Sequence, residues 1–162
     1  MGELLRRASS VTRSSWIDLP ASAGIYVVFV ESPKRLTFSS QTGDAWHAAP
    51  NAVANLEQKN EGIQRTGPTD IVYIGKGVNV RKRVRQLVRF GVGRAANHTG
   101  GEWLWQISAI ANARLLTQTC PRGKEIPFEK WLLETFKNQH GDWPLANREG
   151  GSGVDLWHPG IG

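Results

Sequence analysis

Between Ile71 and Gly101 the chain carries seven basic side chains, Lys76, Arg81, Lys82, Arg83, Arg85, Arg89 and Arg94, and not one Asp or Glu. The 162-residue sequence has a formal charge of +6, which leaves everything outside this stretch at −1. The basic character is therefore local, and local charge of one sign suits a polyanionic partner. His98 lies near the end of the same stretch.

A strand followed by a helix has to carry these groups. Ile71 to Ile74 is β-branched and aromatic, the composition of a strand, and Gly75 and Gly77 read as its end. Asn79 stands at a helix N-cap, and from Val80 the apolar residues Val80, Val84, Leu87 and Val88 recur at helical spacing. With Val80 as origin and about 100° per residue, those four span about −20° to 80°. Arg81, Lys82, Arg85 and Arg89 span about 100° to 200°, an open face that is either solvated or a nucleic-acid contact. Arg83 falls near about −60°, at the edge where the helix should meet the strand of Tyr73. A guanidinium there presents a planar fork of donors that fits phosphate oxygens, so Arg83 reads as part of a site.

The rest of the chain supplies the frame. A length of 162 residues suits one domain with a real core. The single cysteine, Cys120, excludes an intrachain disulfide framework and a Cys-rich zinc site. No apolar run approaches a membrane span and residues 1–20 lack a secretory apolar region, which points to the cytoplasm. The basic pI of about 9.9 agrees with a nucleic-acid or other anionic partner. Gly24 to Val30 is a continuous apolar run suited to a central strand, and by itself it leaves Tyr26 open between a core tyrosine and a functional one.

Residues 31–70 are polar and punctuated by Pro33, Pro50 and Pro68, an insertion between two strands, with a short helix expected through Asn51 to Gln58. Glu102 to Ile110 suggests another short helix and Ala113 to Cys120 a third strand. Lys124 to His140 is the second strong helix, with Pro127 in its first turn and Gly141 beyond its end. Phe128, Trp131, Leu132 and Phe136 make its expected buried stripe. Glu134 then sits about 60° outside that stripe beside Trp131, and Glu129 flanks the opposite edge. A glutamate at a helix edge is solvated, paired or metal-binding, and the helix alone does not choose. Asn147 follows a turn. The expected organisation is an N-terminal arm over 1–19, one domain over 20–149 and a flexible, glycine-rich C-terminal tail over 150–162.

Gly24-Ile25-Tyr26 followed by Tyr73-Ile74-Gly75 resembles the two signatures that name the GIY-YIG nuclease family. Arg83, ten residues after Tyr73, is similar in placement to the catalytic arginine of that family. Lys76 directly after Tyr-Ile-Gly, Glu134 in a Leu-Leu-Glu helix, and Pro144-Leu145-Ala146-Asn147 resemble the excision-repair branch. The resemblance implies an α+β domain in which helices flank a small three-stranded antiparallel sheet. It also implies hydrolysis of DNA phosphodiesters with one divalent ion, Mg2+, with Mn2+ as a substitute. It implies that Glu134 ligates the metal, that Arg83 holds the scissile phosphate, and that Tyr26 orients or deprotonates the attacking water, assisted by Tyr73 and Lys76. Asn147 and Gly75 would be supporting residues, and Lys76, Arg81, Lys82, Arg85, Arg89, Arg94 and His98 would contact nucleic acid.

Such a set makes chemical sense, because a phosphodiester gains negative charge towards its transition state and needs positive charge arranged in advance. Leu87 departs from the family pattern, occupying a position where many members carry His or Tyr, and this shifts the general-base role towards Tyr26, with His98 as the second candidate. A phenol with a pKa of about 10 needs nearby cations to serve as that base. With no further DNA-binding domain expected, the chain resembles small bacterial or phage-type members, either restriction-type or selective for structure or single strands, in which homodimers are common. DNA is the expected partner, with RNA left open. The alternative is a nucleic-acid-binding module of the same fold without catalysis.

Overall fold

The computed structural model describes residues 9–10, 18–39, 41–42, 46–47, 52–91 and 103–148. In chain order the elements are β1 (Ser9–Ser10), β2 (Gly24–Phe29), β3 (Gln41–Thr42), β4 (Trp46–His47), α1 (Ala52–Thr66), β5 (Ile71–Gly77), α2 (Val80–Gly91), β6 (Arg114–Thr119) and α3 (Glu125–His140). Short 3-10 turns at Pro33–Arg35, Leu104–Gln106 and Ser108–Asn112 fill connections. The expected tail 150–162, most of the expected arm, Arg94 and His98 lie outside the described residues.

Among the described residues the architecture is α+β, an open antiparallel sheet of three full strands with three α-helices. The sheet order is β1-β6-β2-β5, and the two-residue β1 adds to the outer edge of β6. All six residues of β2 are buried, as a continuous apolar run in a central strand requires. From the expected arm, Ser9 and Ser10 thus pair with Leu115 and Arg114. A separate two-stranded ladder, β3 with β4, forms within residues 31–70.

Helix α2 starts where the sequence places it. The side-chain oxygen of Asn79 accepts from the Lys82 N–H at 2.9 Å. The carbonyls of Ser22 and Pro20 accept from the N–H groups of Val80 and Arg81. These contacts satisfy donors that the first helical turn leaves unpaired. Val80, Val84 and Leu87 are buried, while Arg81, Lys82, Arg85 and Arg89 are exposed. Helix α3 stops at Gly141, whose φ of 82° suits a residue without a Cβ and whose N–H bonds the Lys137 carbonyl.

Several local expectations give way to tertiary contacts. Strand β5 runs on through Gly75 and ends at Gly77, because both glycines pair with β2 and make room for neighbouring side chains. Helix α1 is longer than the expected short helix, covering 15 residues, and packs against α3. Residues 104–112 form two 3-10 turns, not one helix. The Ser39 N–H bonds the Gln106 carbonyl, the Ser108 N–H bonds the Thr37 carbonyl, and this extended pairing interrupts any α-helix at Ile107.

The stripe of α3 is also rotated. Phe128, Leu132, Leu133 and Phe136 are buried, whereas Trp131 is only partly so. No helix among the described residues is long and apolar enough to cross a membrane.

Candidate active site

Strand pairing brings the two tyrosines together. Tyr26 of β2 faces Gly75 of β5, and Tyr73 faces Val28, so both phenols stand on one face as diagonal neighbours. Their ring centroids are 6.0 Å apart. Gly75 permits this arrangement, since a Cβ there would lie 2.6 Å from the Tyr26 hydroxyl oxygen. Gly77 plays the same part for α2, because a Cβ there would come within 2.9 Å of the Arg83 Cβ. The two glycines that resemble chain breaks are therefore contact points at which larger residues would displace Tyr26 and Arg83.

A cleft of about 300 Å³ opens at this end of the sheet, lined by Tyr26, Tyr73, Lys76, Arg83, Glu125 and Glu129 among others. These side chains come from β2, β5, α2 and α3. Lys76 forms an ion pair with Glu129. The Arg83 guanidinium donates to the Gln86 side chain at 3.2 Å, which holds its fork on the cleft side of the helix. The carboxylate of Glu125 accepts from the Gly123 N–H at 2.7 Å.

Glu125 and Glu129, not Glu134, are the α3 carboxylates in the cleft. With Phe128 as origin, the buried Phe128, Leu132, Phe136 and Leu133 lie at about 0°, 40°, 80° and 140°, so Glu125 at about 60° and Glu129 at about 100° fall inside the docked face. Glu134 lies at about 240°, roughly 140° around the helix from Glu129. Choosing Trp131 in place of Leu133 for the stripe pushed Glu129 to its edge and brought Glu134 close to it. Glu125 and Glu129 were missed as a pair, although their i, i+4 spacing was a signal that they share a face.

Electrostatics in the cleft are dominated by burial. Tyr26 is fully buried, which holds its pKa well above the usual phenol value; the neighbouring Tyr73 adds to the rise and Arg83 opposes it. Tyr73 is pushed up to about 12, first by burial and then by the negative charge of Glu129. The two phenols share a hydrogen bond that holds the Tyr26 proton and eases the shift of Tyr73, as expected if Tyr26 donates. Burial also raises the Glu129 pKa, and Lys76 and Arg83 pull it back only in part. The expected lowering of Tyr26 by cations is thus outweighed here, because desolvation penalises the phenolate more than Arg83 stabilises it.

The remaining expected residues take different positions. Asn147 is 8 % exposed and acts on the backbone: its side-chain oxygen accepts from the Ile74 N–H at 2.9 Å, and its amide nitrogen donates to the Ile74 carbonyl at 2.8 Å. Together with the bond from the Ala146 N–H to the Val72 carbonyl, this closes the otherwise free edge of β5 beside Tyr73. Lys82, Arg85 and Arg89 project from the open face of α2, while Arg81 gives its Nε to the Leu19 carbonyl at 2.8 Å.

Two carboxylates on one wall fit a hard divalent ion, since magnesium takes oxygen ligands, needs one or two carboxylates and keeps several waters. Among the described residues no larger cluster of three or more His, Cys, Asp or Glu is assembled. No protein-family model, curated protein or solved structure matches this chain.

Proposed function

We propose that this protein is a divalent-metal-dependent endonuclease that hydrolyses DNA phosphodiester bonds on a plan like that of the GIY-YIG family. The observation that carries this reading is the meeting of two tyrosines, Lys76, Arg83 and Glu129 in one cleft, beside the exposed basic face of α2. Arg83 suits the non-bridging oxygens of the scissile phosphate, because its planar donors match them in pairs. Lys76 adds a second positive charge where negative charge grows.

Glu129 replaces Glu134 as the carboxylate that would hold Mg2+, with Glu125 beside it, and Mn2+ would fit the same oxygen donors. When bound, the ion would neutralise charge on the phosphate and acidify a water. Tyr73 is 6 % exposed where Tyr26 is 0 %, so Tyr73 is the phenol set to orient the attacking water. Tyr26 then fixes Tyr73 through their shared hydrogen bond. A DNA substrate would place this activity in the cytoplasm.

One observation favours a second reading, a nucleic-acid-binding module without catalysis. Glu129 already has Lys76 as its counter-ion, and both phenols hold their protons firmly. The deciding assay offers labelled duplex, branched and single-stranded DNA, and RNA, with Mg2+, Mn2+ or chelator. Metal-dependent nicking supports the enzyme; binding without nicking on every substrate supports the module. Binding in either case should weaken steeply with salt, because phosphate contacts release counterions. Sedimentation of the protein on a cleaved duplex tests whether it acts as a homodimer.

A further inference from the structure

Lys59 lines no part of the candidate active site, yet a chain of hydrogen bonds ties it there. It stands in α1, within the insertion, and its ammonium donates to the carbonyls of Pro144 at 3.0 Å and Asn147 at 2.6 Å. Those carbonyls bracket the turn whose Asn147 amide grips both backbone groups of Ile74. Ile74 is the immediate neighbour of Tyr73. The ammonium also lies 5.5 Å from the centre of the Trp103 ring, which Arg148 approaches at 5.3 Å.

We propose that Lys59 is a positioning residue for the cleft, transmitting the grip of the insertion helix through the Pro144–Asn147 turn to Ile74 and hence to Tyr73. The catalytic half of this role rests on the nuclease reading, and the mechanical half stands without it. Neutral carbonyls are Lys59's hydrogen-bond partners in the turn. Asp142 is the anion that favours its charged form, while the cations Arg65 and Arg148 and the titratable His140 lie around it. Burial outweighs Asp142 and lowers its pKa to about 8. The strength of the grip is therefore open to change within a mildly alkaline range.

Amide hydrogen exchange of the full chain tests the mechanical half. In Lys59→Met the Ile74 amide should exchange about tenfold faster relative to Val28 of β2, the scale of one lost charge-assisted hydrogen bond, and Lys59→Arg should restore it. In the wild type, Ile74 protection corrected for intrinsic exchange should rise as pH rises through about 8, because a lowered pKa means the docked side chain sheds its proton before the released one does, with Val28 unaffected. Unchanged Ile74 protection in folded Lys59→Met overturns the proposal. Should that variant fail to fold, a wild-type Ile74 protection flat across pH 7 to 9 overturns it, on the scale set by the Lys59 pKa of about 8.

Cleavage kinetics test the other half. If the wild type cleaves DNA, Lys59→Met should lower kcat with KM unchanged, and Lys59→Arg should recover kcat. An unaltered kcat in Lys59→Met removes the positioning role and leaves the nuclease reading intact. Loosening of Ile74 in a protein that cleaves nothing keeps the coupling and removes the nuclease reading.

Discussion

Replacing Asn147 by alanine should destabilise the protein through two backbone groups at once. In the native chain the Asn147 amide pairs with the Ile74 N–H at 2.9 Å and the Ile74 carbonyl at 2.8 Å, both within buried surroundings. The strand edge would be left with a donor and an acceptor that nothing else among the described residues is placed to satisfy. An unpaired buried backbone group costs about 1–3 kcal/mol, and partial entry of water at this nearly closed position brings the sum to about 2–4 kcal/mol. For a domain of this length that corresponds to a fall in Tm of about 5–15 °C. Urea denaturation followed by tryptophan fluorescence, with circular dichroism as a second probe, measures it directly. Asn147→Asp should do no better, since it keeps the acceptor for the N–H but sets a carboxylate against the Ile74 carbonyl. A loss below about 0.5 kcal/mol in Asn147→Ala would refute the edge-closing role, being no more than an ordinary surface substitution shows.

The other predictions concern the cleft. Glu129→Gln should lower metal-dependent cleavage by about 10²-fold or more, the scale of losing one charge-stabilising group, while Glu134→Gln stays near wild type; the reverse ranking in single-turnover assays would return the metal to Glu134. Lys76→Met should bind Mg2+ more tightly by calorimetry, because the Glu129 carboxylate loses its competing counter-ion, and should still cleave poorly. Gly75→Ala places a Cβ against the Tyr26 ring, so it should cost about 1–3 kcal/mol by overpacking and displace the phenol, read as a changed near-ultraviolet signal and lost cleavage. The Tyr73 phenol, at about 12 when folded and about 10 when unfolded, gives stability that is complete below pH 10 and is lost as pH rises from 10 to 12. The loss amounts to about 2–3 kcal/mol, and Tyr73→Phe should lack that part of the slope, measured as the difference in urea midpoint so that the opposing titration of Lys59 cancels.

Much of the frame was legible in local pattern. The apolar run at Gly24 to Val30, the wheel of α2 with Asn79 at its head, and the proline and glycine that bracket α3 report interactions between residues a few positions apart. Arg83 was separable from Arg81, Lys82, Arg85 and Arg89 for the same reason, since its angle about the helix follows from periodicity alone. The two glycines of β5 were legible as special but not as to why. Their function is to admit a tyrosine ring and a helix turn, and both of those come from elsewhere in the chain.

The carboxylate of the site was a tertiary decision. Helix α3 has large apolar groups at Trp131 and Leu133, about 160° apart, and periodicity offers no ground for choosing which of them docks. The fully buried Leu133 turns Glu125 and Glu129 inward and leaves Glu134 on another face. The grip of Asn147 on Ile74 and of Lys59 on the Pro144–Asn147 turn joins residues 73 and more positions apart, through backbone groups common to every residue. Sequence by itself determined where the three long strands and helices α2 and α3 form, and which way the face of α2 points. Only the packed chain decided which carboxylate, amide and ammonium meet, because such contacts depend on how whole elements settle against one another, and no local spacing encodes that.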